Sequence, residues 1–363
     1  MRGSRTVAAV ACLLAGALGL SACGGGGESG GGTRPAPPVH STPAPAASSF
    51  PTAKGKTLRE IINEADGPSK LKLEPQAMVF YPGPNRYPFL AYEKNSGGVE
   101  GKEVDDAEVA IYYARVPSAQ NKSSKAGVKG PAATATRKAL DEPAFGPFPA
   151  KIETLATQPQ FESKTTKDDP TAARVVYSAQ VPLPKKGQWR LEALIKEGNE
   201  VGAASLPTAA AGEFNAVPAV GTVPPRIHTP TAQDVGGDLS KITTRIPPDT
   251  QNEVDFADAL GKEPILLLFA SPKFCQSRVC SPVVDVAEQA KAKFGNEAKF
   301  IHMEIYNDKN PSNVIPLQQV RAFHLPSEPW LFAMDREGVV KAAIEGGFGS
   351  ELMDEAVEKA VGK

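Results

Sequence analysis

The sequence predicts a multidomain α+β protein, with an N-terminal β-sandwich followed by a C-terminal α/β domain. Two sequence patterns lead to this prediction. Residues from about 74 to 216 contain strand-length runs rich in Val, Tyr and Phe, separated by turn signals, without a helical period of useful length. After residue 250, strand-length and helix-length segments alternate instead. The 363 residues are enough for about two domains, at roughly 150 residues per domain.

The overall composition is that of an ordinary globular protein. Hydrophobic residues make up 41% of the chain and charged residues 22%, and the formal net charge is −1. A net charge this close to zero argues against nucleic acid as a partner. We therefore expect no nucleic-acid partner.

The N-terminus has the pattern of a lipoprotein signal. Arg2 and Arg5 precede an apolar stretch that is too short to span a membrane. The residues that follow, 20–23 (Leu-Ser-Ala-Cys), resemble the bacterial lipobox. The resemblance implies a signal peptide at 1–22 and a lipid such as palmitate on Cys23. It places the mature protein on the extracytoplasmic face of the cell membrane, at the end of a Gly/Ser/Pro-rich tether at 23–56.

The segment 57–216 is predicted to begin with a short helix at 57–65 and to continue as an antiparallel sandwich of about seven strands. Its stretch "LPKKGQWRLEALIKEG" resembles the strand–turn–strand unit of immunoglobulin-like extracytoplasmic modules, with Trp189 in the core. The segment 217–250 is proline-rich and has no clear period, so it is interpreted as an interdomain linker. His228, within it, is expected to be solvated.

The last segment, 251–363, has the predicted order β-α-β-α-β-β-α after a short helix. The apolar run 263–270 suits a strand that is covered on both faces. In the next segment, 281–294, Ser281 is fit to cap a helix and Pro282 to occupy its first turn.

This order resembles the thioredoxin fold, with a cysteine-containing turn after the first strand and a proline before the third. The resemblance covers roughly residues 251–363 and includes "HLPSEPWLFAMDREGVVKAAIEGGF". It implies a cis peptide bond at Pro329, facing the active-site cysteines. The spacing Cys-x-x-x-x-Cys departs from the Cys-x-x-Cys of thioredoxins.

Whether the two cysteines can form a disulfide depends on where the following helix begins. With Cys12 in the signal and Cys23 lipidated, Cys275 and Cys280 remain; they pair, bind something or stay free. Residues five apart on a helix stand about 8.7 Å apart, too far for a disulfide. The bond therefore requires Cys275 to lie off the helix, which a start at Ser281 permits. The alternative is a helix that begins near Cys275 and kinks at Pro282.

The predicted activity is thiol–disulfide exchange with extracytoplasmic protein thiols or disulfides. Cys275 is the candidate nucleophile, with Lys273 and Arg278 favouring its thiolate, and Cys280 is the candidate resolving thiol. Pro329 is a supporting residue by resemblance. No cofactor and no metal are expected.

Three alternatives remain open. The spacing also resembles that of peroxiredoxins of the bacterioferritin-comigratory type, although Pro272 stands where that family has Thr or Ser. A thioredoxin-fold copper chaperone would need a histidine near the cysteines, and His302 is expected to be a hydrogen-bonded strand residue and His324 a solvated or capping one. The third alternative is a non-catalytic binding lipoprotein in which the disulfide is structural.

Overall fold

The computed structural model describes residues 40–95, 100–117, 131–275, 277–306 and 316–363. The predicted signal peptide, the lipidation site Cys23 and the first part of the tether lie outside these residues. Pro38–Lys363 form one compact unit. Within the described residues, the helices fall short of the length and apolar character that crossing a bilayer requires.

The fold is mixed α+β, with most of its regular structure in strands. In chain order the described elements are α1 (Leu58–Ile62), β1 (Gly67–Pro68), β2 (Leu71–Pro75), β3 (Arg86–Lys94), β4 (Glu100–Glu103), β5 (Glu108–Arg115), α2 (Pro131–Lys138), β6 (Phe145–Thr154), α3 (Lys164–Lys167), β7 (Val175–Gln180), β8 (Gly187–Glu197), β9 (Glu200–Ala211), α4 (Phe256–Ala259), β10 (Ile265–Phe269), α5 (Cys280–Phe294), β11 (Lys299–Met303), α6 (Gln318–Ala322), β12 (Trp330–Met334), β13 (Val340–Glu345) and α7 (Ser350–Val361).

The first sheet runs through the N-terminal part of the chain in the order β1-β9-β8-β5-β6-β7-β3-β2, with β4 beside β3. Strand β6 joins its two halves, because Phe145–Pro149 pair with β5 whereas Ala150–Thr154 pair with β7. The described strands thus form one continuous path. The predicted immunoglobulin-like sandwich is not confirmed.

One apolar core is shared by both halves of this sheet. It takes alternate residues of the long strands, such as Tyr87 and Phe89 of β3 and Leu191 and Ala193 of β8. Alternate side chains of a strand point to the same face, which explains the pattern. Trp189 is buried in this core as predicted, and its indole N–H donates to the Lys185 carbonyl at 3.1 Å.

The last part of the predicted tether packs against the first sheet. Thr42 exchanges two backbone hydrogen bonds with Ile152 of β6, at 2.8 and 2.9 Å, and Phe50 and Ala53 are buried. The interpretation of 23–56 as a free tether is therefore wrong for its last part. The apolar side chains of Phe50 and Ala53 are buried there in the core of the protein, which stabilises this packing.

The second sheet has the order β11-β10-β12-β13. The central strand β10 is parallel to β11 and antiparallel to β12, and it is buried along its whole length. Helices α5 and α7 cover one face with an apolar core, and α4 and α6 contribute to a second core with residues such as Phe256 and Val320. The sequence pattern placed each of these helices and strands within a few residues of its position.

Candidate functional site

The two cysteines are joined in a disulfide just ahead of α5. Their Cα atoms are 5.9 Å apart. Helix α5 begins at Cys280, with Val279 as its N-cap, so Cys275 lies off the helix. This is the arrangement that the spacing required, and the alternative of a helix starting near Cys275 is wrong. Cys280 is fully buried and Cys275 is half-buried, so solvent and partner molecules have better access to Cys275.

We call residues 271–279, between β10 and α5, the cysteine loop; Gln276 lies outside the described residues. Within it the Ser277 hydroxyl lies 2.9 Å from Cys275 Sγ and 3.9 Å from Cys280 Sγ. A hydroxyl so placed can donate to a sulfur that becomes a thiolate on reduction. Cys280, as the first residue of α5, also lies at the positive end of the helix dipole, which favours its thiolate.

Glu328 completes the immediate surroundings of the disulfide. One carboxylate oxygen of Glu328 and the two sulfurs all lie within 4.8 Å of one another. The Glu328–Pro329 peptide bond is cis, as the resemblance predicted. The sequence interpretation placed Pro329 at the site but missed Glu328. The available signal was its position, one residue before a proline expected to face the cysteines.

The cysteine loop is packed against the first sheet. Val279 is fully buried in a cluster with Leu90, Tyr92 and Val176. The Arg278 guanidinium lies over the Tyr92 ring, 5.2 Å from its centroid. Burial raises the pKa of Tyr92 to about 12, against the opposing effect of Arg278. The loop is thus fixed from the side of the N-terminal strands.

Lys273 and Arg278, the two cations predicted to favour the Cys275 thiolate, contact other residues. Arg278 has a φ of 63° and directs its carbonyl toward the Ala173 N–H, which donates to it at 3.0 Å. The Lys273 backbone N–H donates to Thr244 Oγ1 at 3.1 Å, and its Nζ lies 5.9 Å from the Phe274 ring centroid. Their influence on Cys275 stays a prediction.

A second, buried polar group lies at the same end of β10. We call it the histidine centre, and it consists of Asp249, His302 and Glu304, with Thr243 and Thr244. His302 Nδ1 lies 2.9 Å from Asp249 Oδ2, and its Nε2 lies 3.1 Å from the Ala270 carbonyl. Because both ring nitrogens face acceptors, the ring carries a proton on each. Burial lowers the pKa of His302, but the charge and hydrogen bond of Asp249, together with Glu304 and the Ala270 carbonyl, raise it to about 9.

The carboxylates of the histidine centre are also hydrogen-bonded. Asp249 Oδ2 accepts from Thr243 Oγ1 at 2.9 Å, and Glu304 Oε2 accepts from the Thr244 N–H at 2.8 Å. Burial raises the pKa of Asp249, yet His302 and the hydrogen bonds from Thr243 and the Gln251 N–H together hold that pKa below its usual range. Burial raises the pKa of Glu304. The prediction of a hydrogen-bonded His302 is confirmed, and His302 has no free nitrogen for copper.

The remaining histidines lie at the surface. His228 is exposed as expected and its Nδ1 lies 2.6 Å from Asp255 Oδ2. His324 is exposed after α6, with a φ of 53°. Among the described residues, the potential metal ligands grouped with the cysteines include Glu328 and neither of these histidines.

The helix that carries Cys280 is held by a buried ion pair from the predicted linker. Arg245 Nε donates to Asp285 Oδ1 of α5 at 2.9 Å, and both side chains are buried. The other Asp285 oxygen accepts from Ser163 N and Thr166 Oγ1, at 3.0 and 2.6 Å. The segments before β7 and before β10 therefore both fix the orientation of α5.

Glu345, at the end of β13, connects the loop before Pro329 to the segment after β2. Its two oxygens accept from the backbone N–H groups of Met78 and Val79, at 2.8 and 2.9 Å, and it also accepts from the Ser327 hydroxyl. Burial raises the pKa of Glu345 to about 7, although these hydrogen bonds oppose the shift. At Gly346 a Cβ would lie 2.5 Å from the Gln76 carbonyl oxygen, so only glycine fits this approach.

A cavity of about 330 Å³ opens beside the disulfide, between this segment and the loop before β12. Met78, Leu325 and Tyr306 line it, together with Ser277 and Glu328, which contact or approach the sulfurs. Met78 is 51% exposed. The apolar surface of this cavity therefore adjoins Ser277 and Glu328, the two residues that lie next to the cysteine pair.

Comparisons with known proteins give little further information. No known family matches the chain, and no curated protein matches it. A structure described as a thiol:disulfide interchange protein DsbE from Chlorobium tepidum matches with a TM-score of 0.28 and 16% identity, over 40% of this chain and 99% of that chain. A DUF4784 family protein from Bacteroides caccae matches with a TM-score of 0.18 and 12% identity, over 39% of this chain and 23% of that chain.

Proposed function

We propose that this chain is a membrane-tethered, extracytoplasmic thioredoxin-like protein that exchanges its Cys275–Cys280 disulfide with thiols or disulfides of partner proteins. The observation that carries the proposal is the difference between the two bonded sulfurs. Cys275 is half-buried in a loop, whereas Cys280 is fully buried at the first position of α5. An exchange reaction needs one sulfur that a partner can reach and one that stays within the protein.

The arrangement of the second sheet supports the thioredoxin-like part of the proposal. The cysteine loop follows the central strand β10, and the cis bond before Pro329 leads into its antiparallel neighbour β12. The two features meet at Glu328, close to both sulfurs. This is the juxtaposition of cysteines and cis-proline that the sequence resemblance implied.

The exchange proceeds by two displacements at sulfur. A partner thiolate attacks Cys275 Sγ, the Cys275–Cys280 bond breaks, and Cys280 leaves as a thiolate at the positive end of α5. A second partner thiolate then attacks the mixed disulfide and releases Cys275. The partner loses two electrons and two protons, and the protein gains them as two thiols. The reverse sequence reduces a partner disulfide.

The cavity beside the disulfide supports a polypeptide partner. Its apolar lining, including Met78 and Leu325, suits an extended segment that places a cysteine next to Ser277 and Glu328. The membrane tether rests on the sequence, through the lipobox resemblance at Cys23.

A second candidate function is a binding lipoprotein with a purely structural disulfide. The observation in its favour is the packing of the cysteine loop, where Val279 is fully buried against the first sheet and Arg278 lies over Tyr92. A loop held in this way resists the movement that opening a disulfide requires.

The test is a trapping experiment with the full chain in a Cys12→Ser, Cys23→Ser background, purified in detergent. This background leaves only the pair as possible thiols. We expect Cys280→Ser to form a mixed disulfide with an unfolded model protein that retains a disulfide, because the Cys275 thiolate attacks that bond and releases the model protein's other sulfur as a thiolate. Cys275→Ser should form at least about tenfold less of this product. Equal trapping by both variants, or none by either, would favour the structural candidate. Ser240→Ala, at an exposed residue of a short 3₁₀ helix, is the control and should not alter the behaviour of the intact pair.

A further inference from the structure

The two thiols of the reduced cysteine pair and the carboxylate of Glu328 are three potential metal ligands that lie close together. Cys275 Sγ, Cys280 Sγ and a Glu328 oxygen lie within 4.8 Å of one another in the disulfide state. In a tetrahedral zinc site, two thiolates stand about 3.8 Å apart, and a thiolate and a carboxylate oxygen about 3.6 Å apart. Reduction separates the sulfurs to a non-bonded distance of this size. The required change is therefore small.

We propose that the reduced protein binds one zinc ion through Cys275, Cys280 and Glu328, and that oxidation of the pair releases it. The inference rests on the proposed function in one respect only, that the disulfide can be reduced in the folded chain. Two thiolates and one carboxylate form a borderline set that suits Zn²⁺. The softer Cu(I) favours sulfur with imidazole, and neither His302 nor His324 belongs to this group.

The elements that carry the ligands hold them in place. Cys280 is the first residue of α5, whose Asp285 is paired with Arg245. Glu328 is followed directly by cis Pro329 and β12. Cys275 is tied back by its N–H, which donates to the Ser271 carbonyl at 3.1 Å. A site on a helix end and a strand end keeps its geometry better than one made from a loop alone.

The exposure of the ligands agrees with exchangeable metal rather than a closed structural site. Cys280 is buried, while Cys275 and Glu328 are each partly exposed. Three protein ligands leave the fourth zinc position to water or to an incoming group. The partial exposure of Cys275 and Glu328 allows the metal to enter and leave the site.

Metal binding and disulfide exchange exclude one another at this site. Zinc replaces the two thiol protons on binding, so metal uptake releases two protons. When a partner disulfide oxidises the zinc form, the two thiolates supply two electrons and join in the Cys275–Cys280 bond. The partner takes up two protons, leaves as two thiols, and Zn²⁺ is set free. Bound zinc is therefore expected only in the reduced form of the protein.

The test uses the full chain in the Cys12→Ser, Cys23→Ser background, reduced with a phosphine that is then removed under anaerobic conditions. We expect one Zn²⁺ per reduced chain, measured by competition with a chromophoric chelator, and none for the oxidised chain. Co²⁺ in place of Zn²⁺ should give the absorption of a tetrahedral site with thiolate ligands. Glu328→Gln should weaken Zn²⁺ binding at least about tenfold, while Glu351→Gln, an exposed change on α7, should not.

The outcomes separate this proposal from the proposed function. Equal Zn²⁺ uptake by the reduced and oxidised chains, or unchanged affinity in a folded Glu328→Gln variant, would overturn the zinc site. No uptake by a reduced chain that still exchanges disulfides would overturn the zinc site alone. A disulfide that the phosphine cannot reduce without unfolding the protein would overturn both. The comparison of the reduced and the oxidised chain in the Cys12→Ser, Cys23→Ser background decides the matter even if Glu328→Gln fails to fold.

Discussion

Two polar groups lie at the same end of strand β10, and they are built differently. The histidine centre is closed, and both His302 nitrogens and both Asp249 oxygens have partners among the described residues. The cysteine site is half-open, with Cys275 and Glu328 partly exposed beside a cavity. Buried polar groups with complete hydrogen bonding stabilise one structure. Reactive groups need access, and here only the cysteine site has it.

The two groups share a connection through the cysteine loop. Ala270, the acceptor for His302, directly precedes the loop, and Thr244 accepts from the Lys273 N–H on the other side. We infer that the histidine centre positions the first residues of the cysteine loop, while Cys275 and Cys280 perform the proposed exchange.

The largest expected effect is on stability, from removing the negative charge of the histidine centre. Asp249→Asn leaves the buried His302 cation without its partner, so we expect a loss of about 3–5 kcal/mol in the free energy of unfolding. Urea unfolding measures it. Trapping of Cys275 should persist below the unfolding midpoint. Asp258→Asn, an exposed change on α4, is the control, and a comparable loss there would contradict the assignment.

The same pair predicts the direction of the pH dependence. The pKa of His302 is raised from 6.5 to about 9 in the folded protein, so its stabilising effect is complete below pH 6.5. That effect is lost as the pH rises through about 9. The wild type should lose stability relative to Asp249→Asn between these pH values. A constant difference between the two proteins would show that His302 is not held as a cation.

A smaller effect is expected at Glu345, which holds the segment beside the cavity. Burial raises its pKa from 4.5 to about 7, so the folded protein binds this proton more tightly than the unfolded chain does. Stability should therefore fall as the pH rises from about 5 to 8, by on the order of 2 kcal/mol. Glu345→Gln should lack this component in urea titrations, whereas Glu351→Gln should retain it. An identical pH profile for Glu345→Gln would contradict the assignment.

The smallest effect concerns the packing of the cysteine loop. Val279→Ala removes two methyl groups from a fully buried position, at a cost of about 1–2 kcal/mol in the free energy of unfolding. In the reduced protein, Cys280 should then be alkylated several-fold faster, because the start of α5 is less well covered. Val220→Ala, at a 62% exposed side chain, is the control. Unchanged alkylation would show that the first sheet does not shield Cys280.

The second sheet was predictable from sequence because its signals are local. Helix α5 has Pro282 in its first turn and an amphipathic pattern, and β10 is a continuous apolar run. These patterns depend on residues close in the chain. Ser281 was predicted to cap α5, but Val279 is the cap and the helix begins at Cys280, and a difference of two residues is usual at a helix end. It still left Cys275 off the helix, as the disulfide requires.

The first sheet and the full site were less predictable because they depend on distant contacts. The sequence predicted four of the nine strands of the first sheet, β3, β5, β7 and β8. The order of the strands and the division of β6 between two partners depend on pairing across the chain. Likewise Asp249 lay in a presumed linker, and Glu328 was one polar residue among many. A carboxylate acquires a role beside a disulfide, or beside a buried histidine, only when the fold brings the two together.

The reduction potential of the Cys275–Cys280 bond tests the central claim most directly. It is measured by equilibration with glutathione, using the full chain in the Cys12→Ser, Cys23→Ser background and following the fraction reduced by mass spectrometry. We expect a potential above about −300 mV, together with turnover of a model protein disulfide. A potential below about −300 mV without turnover would contradict thiol–disulfide exchange and assign the bond a structural role.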